Sequence, residues 1–141
     1  MPFEPPAPAD EALIAAIAAS YDELRSDSRE ALAELPPLLH RLGTDSRRLR
    51  DELQGLTTIR RLAQPPQQSD LDAAISEAGR RYRAVVAALR RIRTALVRLE
   101  GRAWNRRSLD TDLADAHEIA AQIERMAAAG LEFDSLNFPP T

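Results

Sequence analysis

Several residue types are scarce in this 141-residue sequence, which has no cysteine, no lysine, 5 glycines and six aromatic residues (three Phe, two Tyr and one Trp). The lack of cysteine excludes disulfides, thiolate zinc sites and thiol catalysis. So few aromatic residues leave little to fill a broad globular core, which favours a thin, extended or oligomeric bundle. All 19 basic residues are arginine, a bias that a GC-rich genome explains as well as a need for planar guanidinium groups does.

Patterns typical of enzymes are also missing. The two histidines, His40 and His117, have no carboxylate or second histidine three or four residues away, so neither shares a helix face with a metal ligand or an acid–base partner. The chain has neither a GxxxxGKS phosphate-binding loop nor a GxSxG nucleophile motif. We therefore expect a non-enzymatic protein that uses no metal or cofactor, and no small-molecule substrate is indicated.

The apolar stretches do not have the form of a membrane-targeting segment. The longest one near the start, residues 12–19, is rich in alanine and follows Asp10 and Glu11 instead of a basic region. That arrangement is unlike both a signal peptide and a membrane span. We therefore expect no membrane span, with the cytoplasm as the default location.

Helical periodicity runs through most of the chain and predicts an all-α fold. Prolines predict a flexible lead-in over residues 1–9, after which Asp10 is expected to cap a first helix of about seven turns. Pro36 and Pro37 are expected to end or kink that helix, because proline lacks the N–H that a helix interior needs.

A second helical arm is predicted over residues 37–63. Residues 43–46 combine a C-cap glycine with N-cap residue types, which predicts a short break within this arm. Residues 64–69, with the sequence QPPQQS, predict the clearest turn in the chain, closing with Ser69 or Asp70 as an N-cap.

The strongest pattern follows that turn, where apolar residues alternate at steps of four and three from residue 71 to residue 103. A repeat of 3.5 residues keeps one seam facing a partner helix and is typical of coiled coils. The phase slips near residues 101–108, where we expect a hinge. The predicted association seam consists of Leu71, Ile75, Tyr82, Val85, Leu89, Ile92, Leu96 and Leu99.

The turn predicts an antiparallel, coiled-coil-like helical hairpin with interrupted arms, in which Pro36 lies nearly opposite Gly101. Two shapes satisfy the pattern. A straight hairpin would reach roughly 80 Å at the standard helical rise, whereas arms that fold back at the breaks would form a four-helix bundle. In both cases residues 10–130 are predicted to form one domain, followed by a non-helical tail over residues 131–141.

Positive charge is concentrated in residues 79–107, which hold ten arginines against Glu100 alone, although the net charge of the chain is −3. On a helical wheel four of them, Arg80, Arg91, Arg98 and Arg102, lie opposite the seam. Three interpretations stay open: a solvated face neutralised by the acidic chain ends, a surface for nucleic acid or another polyanion, and a surface for an acidic protein or anionic lipid. The candidate anion-binding residues are Arg80, Arg81, Arg91, Arg98 and Arg102.

The tail holds apolar residues spaced by acids, with Phe133, Leu136 and Phe138 as candidate anchors. It either folds back to cap the bundle or docks on a partner as a short motif. As a whole, the sequence favours an adaptor or scaffold that acts through coiled-coil association, with a protein partner in a larger assembly or with itself as a homo-oligomer. The alternative is a nucleic-acid-binding subunit of a ribonucleoprotein or phage-type complex that uses the arginines.

Overall fold

The computed structural model describes the backbone of residues 8–100 and 106–137, and this part of the chain forms five α-helices and no strand. The prediction of an all-α fold is therefore confirmed. None of the described helices is long and apolar enough to cross a lipid bilayer. The helices are α1 (Ala9–Asp22), α2 (Ser26–Ala31), α3 (Leu35–Leu62), α4 (Pro65–Glu100) and α5 (Arg106–Asn137).

Helix α4 lies at the centre of the packing, in contact with α1, α3 and α5, and α3 also contacts α1 and α5. α5 runs back along α4, since Asp112 lies near Arg98 while Ile123 shares a groove with Ala84. The described residues thus form a folded-back bundle and not a straight hairpin. The interlocking side-chain geometry of a coiled coil stays a prediction.

The buried face of α4 follows the predicted seam. Val85, Leu89, Ile92 and Leu96 are completely buried, and Tyr82 and Leu99 pack against the core from its edge. Leu71 and Ile75, near the start of α4, are only half-buried. The seam is therefore covered where α1 and α5 contact α4, and it opens toward the connection between α3 and α4.

The first helix is shorter than predicted, because α1 ends at Asp22 and α2 follows as a separate element. Polar side chains of α1 and α2 bond to backbone groups of α2. The Ser28 backbone N–H bonds to the Asp27 carboxylate at 2.9 Å, and the Tyr21 hydroxyl donates to the Arg29 carbonyl at 3.1 Å. Such bonds compete with a continuous helix. The single helix of about seven turns is therefore wrong.

Helix α3 begins at Leu35, so Pro36 and Pro37 lie in its first turn, where a helix needs no N–H donor. The helix then runs unbroken through residues 43–46, and the predicted break is wrong. A Cβ at Gly43 would come within 3.2 Å of Cδ1 of Ile14, so this glycine serves the close approach of α1 to α3. That packing outweighs the roughly 1 kcal/mol that glycine costs in a helix interior.

The turn between α3 and α4 is also shorter than the predicted 64–69. α4 begins at Pro65, and only Ala63 and Gln64 separate the two helices. Pro65 and Pro66 occupy the first turn of α4, where their missing N–H groups leave no carbonyl unpaired. The N-cap predicted at Ser69 or Asp70 is wrong for the same reason.

Helix α5 extends to Asn137, so the predicted non-helical tail is wrong for residues 131–137. Gly130 does not end the helix, because leucine and glutamate beyond it favour helix strongly enough to offset one glycine. The predicted phase slip falls between α4 and α5, which end and begin at Glu100 and Arg106. Residues 101–105 themselves lie outside the described part of the chain.

Candidate functional site

The end of the α3–α4 hairpin, residues 51–77, projects beyond α1. The N-terminal turn of α1 lies against Ser46, Arg50 and Tyr82, because Asp10 bonds to all three. α1 therefore covers α3 no further than Arg50. We call residues 51–77 the hairpin end.

Apolar side chains remain open at the hairpin end. Leu53 and Leu56 are half-buried against the core, whereas Ile59 is 55% and Leu62 82% exposed. Gly55 lies on the same side of α3 as Ile59 and Leu62, and a Cβ built there would meet nothing within 4 Å. The outer face of α3 thus carries two exposed large apolar residues beside a glycine that has open space around it.

The outer face of α4 carries arginines that have no ionic partner. Glu77 binds both Arg80, at 2.6 Å, and the less exposed Arg81, at 3.2 Å. None of the next five arginines forms an ion pair with a described residue. We call these five exposed residues the arginine face: Arg83, Arg90, Arg91, Arg93 and Arg98.

Most of the arginine face is arranged in two rows along the helix. Arg83 and Arg90 are seven residues apart, as are Arg91 and Arg98, so each row spans about 10 Å at the standard rise. Thr94 lies in the strip between the rows, and it lines a cleft of about 330 Å³ together with Arg90, Arg91, Arg98 and Asp112 of α5. Burial raises the pKa of Asp112, and the charges of Arg91 and Arg98 oppose that rise. One acid of α5 thus borders the face without pairing with it.

Four of the five predicted anion-binding residues lie in the described part of the chain, and their environments differ. Arg91 and Arg98 belong to the arginine face, whereas Arg80 and Arg81 are engaged by Glu77. Arg102 lies outside the described residues. Arg98 lies near Asp112 of α5, which belongs to the acidic C-terminal stretch, so the neutralisation by the acidic chain ends stays a prediction.

A buried polar cluster joins three helices around Asp10, which is 1% exposed. Its carboxylate accepts hydrogen bonds from the Ser46 hydroxyl at 2.7 Å and the Tyr82 hydroxyl at 2.9 Å, and Arg50 Nε lies 3.0 Å away. Asp10 does not cap α1, because Pro8 occupies the N-cap position and no side chain caps the helix. The predicted N-cap is wrong because these stronger partners on α3 and α4 take the carboxylate.

The pKa of Asp10 results from opposing effects. Burial favours the protonated acid, but the hydrogen bonds from Ser46 and Tyr82 and the charge of Arg50 outweigh burial and hold the pKa of Asp10 below its usual value. Asp10 is therefore an ionised, fully satisfied group that ties α1 to α3 and α4.

A second polar network connects α3 to α5. Arg41 donates from Nε and Nη2 to the two carboxylate oxygens of Glu124, at 3.2 and 2.7 Å. His117 Nδ1 lies 3.4 Å from Arg41, and its Nε2 lies 3.7 Å from Glu34. His117 thus lies next to Arg41 of α3 and to Glu34, the residue that precedes α3. No group of three or more potential metal ligands occurs in the described ranges.

His40 has a different setting, in a groove of about 410 Å³ between α1 and α3. The floor is apolar, with Ile14, Tyr21 and Leu39 among the residues that form it, and Arg47 lies at its rim. Charged side chains, among them Glu11, Asp22 and Arg50, also line the groove. Phe133 and Leu136 of the predicted docking tail fall within α5, but their side chains, like all of Phe138, lie outside the described part.

The sequence contained no direct sign of these polar contacts, since each joins residues far apart in the chain. Two features of the sequence point to such contacts: Ser46 and Tyr82 stand among the apolar residues on the buried faces of their helices, and a buried hydroxyl group needs a hydrogen-bond acceptor. No protein-family model matches the chain, and comparisons with curated proteins and with solved structures found no significant match.

Proposed function

We propose that this protein is a non-enzymatic helical adaptor that associates through its hairpin end, most simply with a second copy of itself. The observation that carries the proposal is the exposure of Ile59 and Leu62, at 55% and 82%, on a segment that α1 does not cover. Burying one such side chain contributes roughly 1.5 to 3 kcal/mol. Two such residues from each copy therefore provide a substantial part of the free energy of association.

The shape of the hairpin end supports the same proposal. The open space at Gly55 allows a second helix to approach the backbone of α3 closely beside the two apolar side chains. Arg60 and Asp72 pair across the hairpin near the connection between α3 and α4. The apolar face of the hairpin end is already helical, so binding does not have to order its backbone.

The test is the concentration dependence of molar mass for the wild type and for the double variant Ile59→Gln/Leu62→Gln. We expect the wild type to form a dimer or larger oligomer and the variant to dissociate at least tenfold more readily, measured by light scattering or sedimentation equilibrium. Val97→Gln is the matched control, because Val97 is 54% exposed but lies on α4 away from the hairpin end. It should associate like the wild type.

A monomeric wild type at all concentrations would exclude self-association. The adaptor proposal would be refuted if a pull-down then also showed no partner bound through the hairpin end. That is the case if the double variant and the Val97→Gln control capture the same proteins in equal amounts. A variant that loses both association and far-UV circular dichroism would be replaced by Leu62→Gln alone, which leaves Ile59 in place.

The arginine face favours a second candidate function, the binding of nucleic acid as part of a larger complex. Five exposed arginines have no ionic partner among the described residues, so their charge is available to phosphates, and Thr94 lies between the two rows. Each phosphate contact releases counterions, so binding should weaken steeply with salt.

We expect single- and double-stranded oligonucleotides to bind at low salt and Arg91→Ala/Arg98→Ala to weaken that binding about tenfold, with a shallower salt dependence. The measurement is fluorescence anisotropy across a salt series. Arg25→Ala/Arg29→Ala is the matched control, because it removes the same charge from exposed positions at α2. Equal losses in both double variants, or no binding at low salt, would contradict this function.

A further inference from the structure

Asp45 of α3 is a buried carboxyl group without a hydrogen-bond donor. The residue is 2% exposed, and its Oδ2 atom has no hydrogen-bond partner among the described residues. An ionised carboxylate in this position would be both desolvated and unsatisfied, which strongly disfavours the charged form.

A second carboxyl group faces it from α5. Asp45 lies one helical turn after Arg41, which binds both oxygens of Glu124, so the two carboxyl groups are close enough for their charges to act on each other. These bonds from Arg41 hold the pKa of Glu124 below its usual value, so Glu124 stays ionised. Two carboxylates offer only acceptors to each other, whereas one proton on Asp45 supplies the missing donor.

The charges around the pair come from several elements. α3 contributes Arg41 and Arg48, and α5 contributes Glu124 and, beyond Arg41, His117. On the other side of α3, Ser46 donates a hydrogen bond to Asp10, in the cluster shared with α1 and α4. In that cluster Asp10 and Arg50 form an ion pair, and Tyr82 is the remaining titratable group. Burial and then the charge of Glu124 raise the pKa of Asp45 to about 6, against the opposing charges of Arg48 and Arg41.

We propose that Asp45 and Glu124 form a proton-binding site that controls how tightly α5 packs on α3. With the proton bound, Asp45 donates to Glu124 and joins the two helices. When the proton leaves, the buried carboxylate of Asp45 faces the half-buried carboxylate of Glu124, and α5 loosens from α3. The proposal goes beyond the adaptor function and does not depend on it.

A proton fits this site better than a metal ion does. Arg41 already occupies both oxygens of Glu124, and the described residues supply no third metal ligand nearby. A divalent ion would have to displace a bidentate arginine and bind with two protein ligands only, which is fewer than structural metal sites use.

The direction of the pH effect follows from linkage. The folded state holds a proton that the unfolded chain releases above about pH 4, so stability falls as the pH rises between about 4 and 6 and stays lower above that range. One pKa unit corresponds to a tenfold change in the folding equilibrium, and the shift at Asp45 predicts a loss of ten- to about a hundredfold.

The experiment compares urea unfolding of the full chain at about pH 5 and pH 7.5, at concentrations below self-association, with hydrogen exchange corrected for intrinsic rates to locate the change. We expect the wild type to unfold at lower urea at pH 7.5 and to lose protection chiefly in α5. Asp45→Asn, whose amide donates to Glu124 at any pH, should abolish the decrease, and Glu124→Gln should do the same. Asp51→Asn, exposed on the same helix, should leave the decrease intact.

Each remaining outcome would overturn the proposal. A wild type equally stable at both pH values would show that no proton is bound. An unchanged decrease in Asp45→Asn would place the titrating group elsewhere, as would its loss in His117→Asn. Stabilisation of the wild type, but not of Asp45→Asn, by millimolar zinc or calcium would identify a metal site instead.

Discussion

Replacing Leu89 by alanine is expected to lower the free energy of unfolding by about 3 to 4 kcal/mol, within the range for leucine in a packed core. Leu89 is completely buried at the centre of α4, which contacts α1, α3 and α5. Three neighbouring helices cannot all move inward at once to fill the space, so a cavity remains and the cost lies in the upper part of the range. Urea unfolding followed by far-UV circular dichroism measures the change.

Leu62→Ala is the matched control for this prediction. It makes the same chemical change in a helix, but Leu62 is 82% exposed, so its effect on the free energy of unfolding should stay within about 0.5 kcal/mol. Both proteins should be measured at concentrations where the chain is monomeric. Equal losses in the two variants would mean that α4 does not form the centre of the core.

Replacing Asp10 by alanine is expected to lower the free energy of unfolding by about 3 kcal/mol. The substitution removes the acceptor of three bonds at once, so the Tyr82 hydroxyl loses this acceptor and the Ser46 hydroxyl keeps only the Gly43 carbonyl, at 3.1 Å. Hydrogen bonds to a buried charge contribute about 1.5 to 3 kcal/mol, and unpaired buried donors add to the loss. The stability of Glu11→Ala is the control, because the exposed ion pair of Glu11 with Arg50 contributes at most about 1 kcal/mol.

The effect of Asp10 should depend on pH with a definite sign. The pKa of Asp10 is lowered in the folded state, so its contribution is fully present above the unfolded value of about 4 and is lost as the pH falls through the folded value. The difference between wild type and Asp10→Ala should therefore shrink below about pH 4 in urea unfolding. A difference that persists undiminished in strong acid would contradict an ionised Asp10. Asp45 acts in the opposite direction, since its proton stabilises the fold.

The predictable part of the fold is the part that apolar periodicity encodes. The apolar residues at steps of four and three from Val85 to Leu96 form the buried face of α4. Covering each apolar side chain lowers the free energy of the folded state. Helix boundaries depended on weaker local terms. Gly43 and Pro65 look like helix breaks in the sequence, yet close packing at the first and the free N–H positions at the second let the helices continue or begin there.

The polar contacts could not be predicted from the sequence because they depend on which helices pack against each other. Asp45 lies between Leu42 and Leu49 on α3, and Glu124 lies one turn after Ala120 on α5, so both acids stand beside buried apolar positions. The periodicity cannot say that these two acids face each other, or that Arg41 joins them. Likewise, the helical wheel gives the exposure of Arg91 and Arg98 but not the engagement of Arg80 by Glu77.

Only two residues separate α3 from α4, so closing this loop costs little conformational entropy. The contacts of α4 with α5 also join consecutive helices, whereas those of α4 with α1 join residues far apart in the chain. During synthesis the hairpin can form as soon as α4 has left the ribosome, whereas α5 docks last. The apolar side of α4 that α5 covers is therefore the surface that a nascent chain leaves open until α5 has been synthesised.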